Sequence, residues 1–179
     1  MAALLGLDLE VAAEVAKDAA EGQVCDSAND NAPGQVVVSG NVEAVQRAVE
    51  LAKGRGARHP MLLPVSAPFH CSLMRPAADV MAEALETNPP GTPSVPVVAN
   101  VAATAVSDPA RIRKLLVDQI TSMVRWRESL FYMRDQDVDN LVEVCAVKVL
   151  TTMLKRIDKD LTGRAISTPE DIENFLKSM

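Results

Sequence analysis

Apolar positions in this chain fall first into a short run and then into helical spacing. Residues 1–7 (MAALLGL) are apolar with no polar lead-in, which predicts a buried strand, with a truncated helix as the other option. Asp8 can cap a helix, and Leu9, Val11, Ala12, Val15, Ala16 and Ala19 recur at helical spacing until Gly22. Residues 24–28 predict a strand, Asn29-Asp30-Asn31-Ala32-Pro33-Gly34 is turn chemistry, and residues 35–39 predict another strand. Gly40 and Asn41 open a helix with Val42, Val45, Ala48, Val49 and Ala52 on one face, ending at Gly54 or Gly56. Residues 58–63 predict a strand interrupted by Pro60. Strand, helix, strand, strand, helix, strand is the order of a ferredoxin-like split βαβ unit.

The next stretch is Pro64-Val65-Ser66-Ala67-Pro68-Phe69-His70-Cys71-Ser72-Leu73-Met74, in which the prolines stiffen the approach. From His70 onward Leu73, Ala77, Met81, Ala84 and Leu85 recur at helical spacing, which puts His70 near the first turn of a helix. Residues 88–93 are a proline-rich break, and residues 95–98 predict a strand entered through Pro96. Asp108 and Pro109 start a helix containing Ile112, Leu115, Leu116, Gln119 and Ile120. A loop over 122–126 leads to a helix over 127–134, with Leu130, Phe131 and Met133 inward. A strand over 138–144, a helix over 148–156, a strand over 164–166 and a helix from Thr168-Pro169-Glu170-Asp171 come last. This alternation points to parallel pairing.

Hydrophobic residues make up 48% of the chain and aromatics only 3%, so the core must be built from Ala, Val, Leu and Met. A net charge of −6 and a pI near 4.9 argue against a general nucleic-acid binder. Cys25, Cys71 and Cys145 are far apart with no metal-ligand spacing, so no metal and no redox cofactor is expected, and a reducing compartment is. No apolar run approaches membrane-spanning length and no signal-peptide pattern occurs, so the expectation is a cytoplasmic protein without a membrane partner.

Two kinds of side chain could carry chemistry. His70 is either a structural residue at a helix start or an imidazole able to pass protons in both directions near neutrality. Asn29 and Asn31 either tolerate left-handed backbone and cap their turn or use amides that both donate and accept.

Five blocks occur in order along the chain: residues 28–40 (ANDNAPGQVVVSG), the His70 stretch, residues 95–101 (VPVVANV), residues 124–129 (VRWRES) and Lys148-Val149-Leu150. Together they resemble malonyl-CoA:acyl carrier protein transacylases of the acyltransferase domain family, over nearly the whole chain. The resemblance implies a ferredoxin-like small subdomain over 1–63, beside the C-terminal part of an α/β-hydrolase-like parallel-sheet body over 64–179. It implies that His70 is the catalytic base and that the backbone carbonyl of Arg125 orients its ring. The other view of Arg125 is a solvated charge pair with Arg127 flanking a core Trp126. Asn31 and Asn29 would hold the acyl thioester, and Phe69, which otherwise simply packs, would narrow the acyl pocket and favour malonyl over branched units. Implied partners are malonyl-CoA and acyl carrier protein, in fatty acid biosynthesis.

The covalent chemistry of that family needs a serine on a G-x-S-x-G elbow, and this chain has no such pattern. Ser39 in Val38-Ser39-Gly40 lacks the preceding glycine, and Ser72 lies beside His70 on the expected helix. The family's early glycine-rich Gln motif and its malonyl-binding arginine are also absent. The expectation is therefore a C-terminal portion that is inactive alone and completed by an N-terminal half. The alternatives are a non-catalytic module that binds carrier protein or CoA, or a truncated product with no independent role. Two basic clusters, Lys53-Arg55-Arg58 and Arg111-Arg113-Lys114, could meet an acidic carrier protein. Cys145, Val147 and Asp137 stand where the family usually has glycine, which predicts local strain.

Overall fold

The computed structural model describes residues 1–144 and 146–178 of a mixed α/β chain. Its contacts group Met1–Ser129 as one unit and Leu130–Met179 as another. The division expected at residues 63 and 64 therefore falls inside the first unit.

That unit opens with β1 (Ala2–Leu5), α1 (Leu9–Ala20), β2 (Cys25–Ala32), β3 (Gln35–Gly40), α2 (Val42–Gly54) and β4 (His59–Leu62). The strands form one sheet in the order β2-β3-β1-β4, antiparallel at every junction. Leu4, Val36 and Val38 from the strands share one core with Ala12, Val15, Ala16 and Ala19 of α1 and Ala44, Val45, Ala48 and Ala52 of α2. Alanine on the helix faces suits close packing of helix on sheet, as the aromatic-poor composition requires. Pro60 sits on β4, a sheet edge, where a missing N–H removes no ladder bond that the sheet needs.

The turn expected over residues 29–34 is shorter than its composition suggests. β2 runs through Asn29 and Asn31 to Ala32, which pairs with Gln35, so Pro33 and Gly34 alone make the connection. Proline followed by Gly34 at φ 68° is type II turn chemistry. Gly40 is required for another reason: a Cβ there would lie 1.9 Å from the Val24 carbonyl oxygen.

Beyond β4 the first unit holds a 3-10 turn (Ser72–Met74), α3 (Arg75–Thr87), β5 (Val97–Ala99), β6 (Thr104–Val106) and α4 (Pro109–Asp118). β6 lies outside the expected elements, and its pairing with β5 is antiparallel, against the expected parallel arrangement. The reason is local: residues 100–103 reverse the chain in a tight turn, with Ala103 at φ 51°, and leave no room for a crossover helix. Helical spacing located α3 but not its covered face. Only Ala78 is buried, while Leu73, Val80 and Met81 are exposed.

α5 (Trp126–Arg134) begins in the first unit and ends in the second, where β7 (Asn140–Val144), α6 (Val149–Ile157), β8 (Thr162–Ile166) and α7 (Pro169–Lys177) come next. Here the expected parallel pairing is found, β7 against β8 across the α6 crossover. Met153, Leu154 and Ile157 are the buried residues of α6. Asp137 has φ 61°, a left-handed conformation that Asp adopts more readily than most residues, so the absent glycine is accommodated there. Val147 is exposed, and Cys145 lies outside the described residues. No helix among the described residues is long and apolar enough to cross a membrane.

Candidate active site around His70

His70 is not in a helix. It occupies a turn at φ 59°, one residue before Cys71, which precedes the 3-10 turn into α3. Positive φ is uncommon for a residue with a side chain, though His is among the types enriched there, and such a conformation costs on the order of 1–3 kcal/mol. Cys71 beside it is fully buried and donates its thiol to the Pro68 carbonyl at 3.1 Å, which pins the turn from below.

The His70 ring is half-buried, and its Nδ1 lies 2.9 Å from the backbone carbonyl oxygen of Gln119. Gln119 is the residue that ends α4, where terminal carbonyls have no intrahelical donor. The carbonyl takes only a long contact from Ser122 N at 3.4 Å, so it is available to the imidazole. A carbonyl can only accept, so Nδ1 carries a proton, and in the neutral tautomer that fits this contact Nε2 presents its lone pair.

The carbonyl that meets the His70 ring is thus that of Gln119 and not, as expected, that of Arg125. Arg125 O accepts from Ser129 N at 3.0 Å and from Ser129 Oγ at 2.8 Å, which starts α5 and turns the carbonyl along that helix. Arg125 instead braces the site. Its side chain donates to Val101 O at 2.9 Å and pairs with Glu128, and its backbone N donates to Asn100 O at 3.3 Å. Asn100 Nδ2 in turn donates to Gln119 Oε1 at 3.3 Å. Neither Gln119 nor Asn100 stands out in the sequence as a site residue. The available signal is a polar Gln119 closing an otherwise aliphatic helix face.

Asn29 and Asn31 are half-buried residues two apart on β2. Asn29 forms a parallel bridge with Val124, so the residues just before Arg125 lie along the free edge of β2. Asp30 N donates to Val124 O and Val124 N to Ala28 O, both at 2.9 Å. One run of backbone and side-chain hydrogen bonds therefore connects β2, Arg125, Asn100, Gln119 and His70. Phe69 is 40% exposed beside the histidine.

Arg127 does not form a solvated pair with Arg125. It reaches Asp30, which is fully buried. Ser39 is buried inside β3 and Ser72 is exposed at the start of the 3-10 turn, and neither stands on a strand-to-helix elbow. Among the basic clusters, Lys53 pairs with Glu50 and Arg55 with Glu14 and Asp18. Lys114 pairs with Asp118, while Arg111 and Arg113 are exposed with no ion pair among the described residues. No cluster of three or more His, Cys, Asp or Glu suited to a metal occurs among the described residues.

Residues 2–170 match the acyl transferase domain family. The chain is 46% identical over 169 residues to the malonyl CoA-acyl carrier protein transacylase of Escherichia coli strain K12, which covers 94% of this chain and 55% of that protein. Among solved structures it superimposes on an acyl-carrier-protein-S-malonyltransferase from Bartonella henselae with a TM-score of 0.94 at 46% identity, over 99% of this chain and 56% of that one. A malonyl-transacylase in complex with its type II PKS acyl-carrier protein aligns with a TM-score of 0.93 at 38% identity, over 99% and 58%. The chain spans about half the length of these relatives. With one family model matching residues 2–170, almost the whole chain, the chain belongs to the acyl transferase domain family.

Proposed function

We propose that this chain carries the histidine side of a malonyl-CoA:acyl carrier protein transacylase site of fatty acid biosynthesis. The observation that carries the reading is the 2.9 Å contact of His70 Nδ1 with Gln119 O, which leaves Nε2 as a proton acceptor. The nucleophile is a serine hydroxyl from outside this sequence. Nε2 takes the hydroxyl proton as the serine oxygen attacks the thioester carbon of malonyl-CoA, and gives it to the departing CoA sulfur. In the second half the same nitrogen takes the proton of the carrier protein's thiol, which attacks the serine ester, and returns it to the serine oxygen.

The Asn29 and Asn31 amides, on the β2 edge beside Val124, hold the acyl thioester. Phe69 limits bulk at the acyl α-carbon, a discrimination worth about 1–3 kcal/mol per methyl group. The βαββαβ order and antiparallel sheet support residues 1–63 as a ferredoxin-like small subdomain that walls the cleft. Residues 64–179 belong to an α/β-hydrolase-like body. Arg111 and Arg113 offer unneutralised charge to an acidic carrier protein. The complexed relative supports this partner.

A chimera in which this chain replaces the matched part of the Escherichia coli relative tests the proposal. Malonyl transfer from CoA to holo carrier protein is expected, and His70→Ala should lower it by about 10²–10⁴-fold. Transfer that survives His70→Ala undiminished overturns the role. A second reading, carrier-protein binding without chemistry, is favoured by Arg111 and Arg113, exposed and unpaired among the described residues. Salt-sensitive binding of the chain alone to holo carrier protein, with no transfer, is its expected signature.

A further inference from the structure

Asp30 projects from β2 between the two candidate asparagines, and its side chain is fully buried. Arg127, 97 residues further along, meets it from the first turn of α5. Arg127 Nε lies 3.0 Å and Nη2 2.9 Å from the same oxygen, Oδ2. Asp30 Oδ1 is buried with no hydrogen-bond partner. Burial raises the Asp30 carboxyl above its ordinary value, and the attraction of Arg127 only partly offsets this.

This geometry is a poor source of stability. Desolvating a carboxylate commonly costs as much as a single ion pair returns, and the unmatched oxygen adds to the cost. Its location suggests what the pair does instead. Between Asp30 and Arg127 the chain is tied by Asp30 N to Val124 O and Val124 N to Ala28 O. The ties continue through Arg125 N to Asn100 O and Asn100 Nδ2 to Gln119 Oε1, and end at Gln119 O on His70 Nδ1. Contacts at 3.3 Å within this run are long, so its register depends on how firmly its outer end is held.

We propose that Asp30 and Arg127 are positioning residues: their ion pair clamps residues 119–127 onto the edge of β2. The Gln119 carbonyl then selects the His70 tautomer with a free Nε2, at the same edge that presents Asn29 and Asn31. The proposal rests on the reading of His70 as the base. Its readout is independent of turnover, so the two can fail separately.

The experiment is nitrogen-15 NMR of the imidazoles in the full chain. With only two histidines, His59→Gln leaves His70 as the sole signal. The parent should show Nδ1–H with unprotonated Nε2. Asp30→Asn and Arg127→Met should each raise the Nε2–H population roughly fivefold, the change a lost hydrogen bond of ordinary strength produces. Arg127→Lys keeps a cation but loses the two-nitrogen contact, and should give an intermediate ratio. This variant reads the same signal if the other two do not fold. Should every folded variant keep the parent tautomer ratio while losing stability, the pair is merely structural and the proposal is overturned. A shifted tautomer with His70→Ala still active in the chimera would retain the clamp and discard the base.

Discussion

The β1–β4 sheet and the β7–β8 pair are made from the same aliphatic residue types, yet they finish differently. β3 is buried from Val36 to Gly40, whereas β7 buries only Glu143 and leaves Val142 and Val144 exposed. β3 is an interior strand paired on both sides, whereas β7 has one partner among the described residues. Each region also buries one carboxylate, with opposite results. Asp30 meets one cation and is raised by burial. For Glu143 burial pushes upward too, but bonds from Thr151 and from the backbone at the start of α6 outweigh it, and the carboxyl is lowered. Thr151 N and Oγ1 donate to it at 2.9 and 2.8 Å and Leu150 N at 3.0 Å. Burial alone does not decide how a carboxylate titrates. The donors that the fold aims at it do.

The strongest test of the contrast is one substitution made in both regions. Gly40→Ala brings a Cβ against rigid backbone 1.9 Å away, and should cost about 4 kcal/mol or more in denaturant unfolding. Gly163→Ala meets side chains and not backbone, the end of Leu154 at 2.3 Å and the Thr151 methyl at 3.1 Å, and should cost about 1–3 kcal/mol. Equal losses would break the comparison.

Arg127→Met comes next, because it leaves the fully buried Asp30 carboxylate without its counter-charge. A loss of about 2–3 kcal/mol is expected, below the figure for a fully buried pair because Asp30 can take up a proton. Removing Arg127 and Asp30 together should recover much of it. A double variant no better than the singles would show that the pair is worth more than its desolvation.

At the helix starts the two regions should behave alike. Asp108 accepts from Arg111 N at 2.7 Å, and Thr168 forms a reciprocal box with Asp171. Replacing Asp108 or Thr168 with Ala should cost about 1 kcal/mol each.

The smallest effect concerns pH and has opposite signs in the two regions. Glu143, lowered from its ordinary 4.5, contributes stability above that value that is lost as pH falls through its folded pKa. Asp30, raised from its ordinary 3.8, contributes stability in acid that is lost as pH rises through its folded pKa. Hydrogen exchange followed residue by residue between pH 3 and 6 should therefore show β7 loosening on acidification while β2 holds (an acid range set by carboxylate pKa values of about 4). Parallel loosening would remove the distinction.

Much of this molecule could be read directly from its residue pattern. Local periodicity and turn chemistry located α1, α2, α4 and α6, the strand-helix order of residues 1–63 and the blocks that carry the family resemblance. They determine such features because a helix face or a strand edge is settled within a few residues. Tertiary structure alone decided that His70 takes a left-handed turn, that Ala78 and not Ala77 faces inward, and that β5 returns at once as β6. It also decided which carbonyl meets the imidazole. Every residue offers a carbonyl, so side-chain identity says nothing about Gln119 over Arg125, and only the end of α4 and the start of α5 distinguish them. The partnership of Asp30 with Arg127 across 97 positions is of the same kind. Its members look like ordinary surface charges until folding removes the water between them.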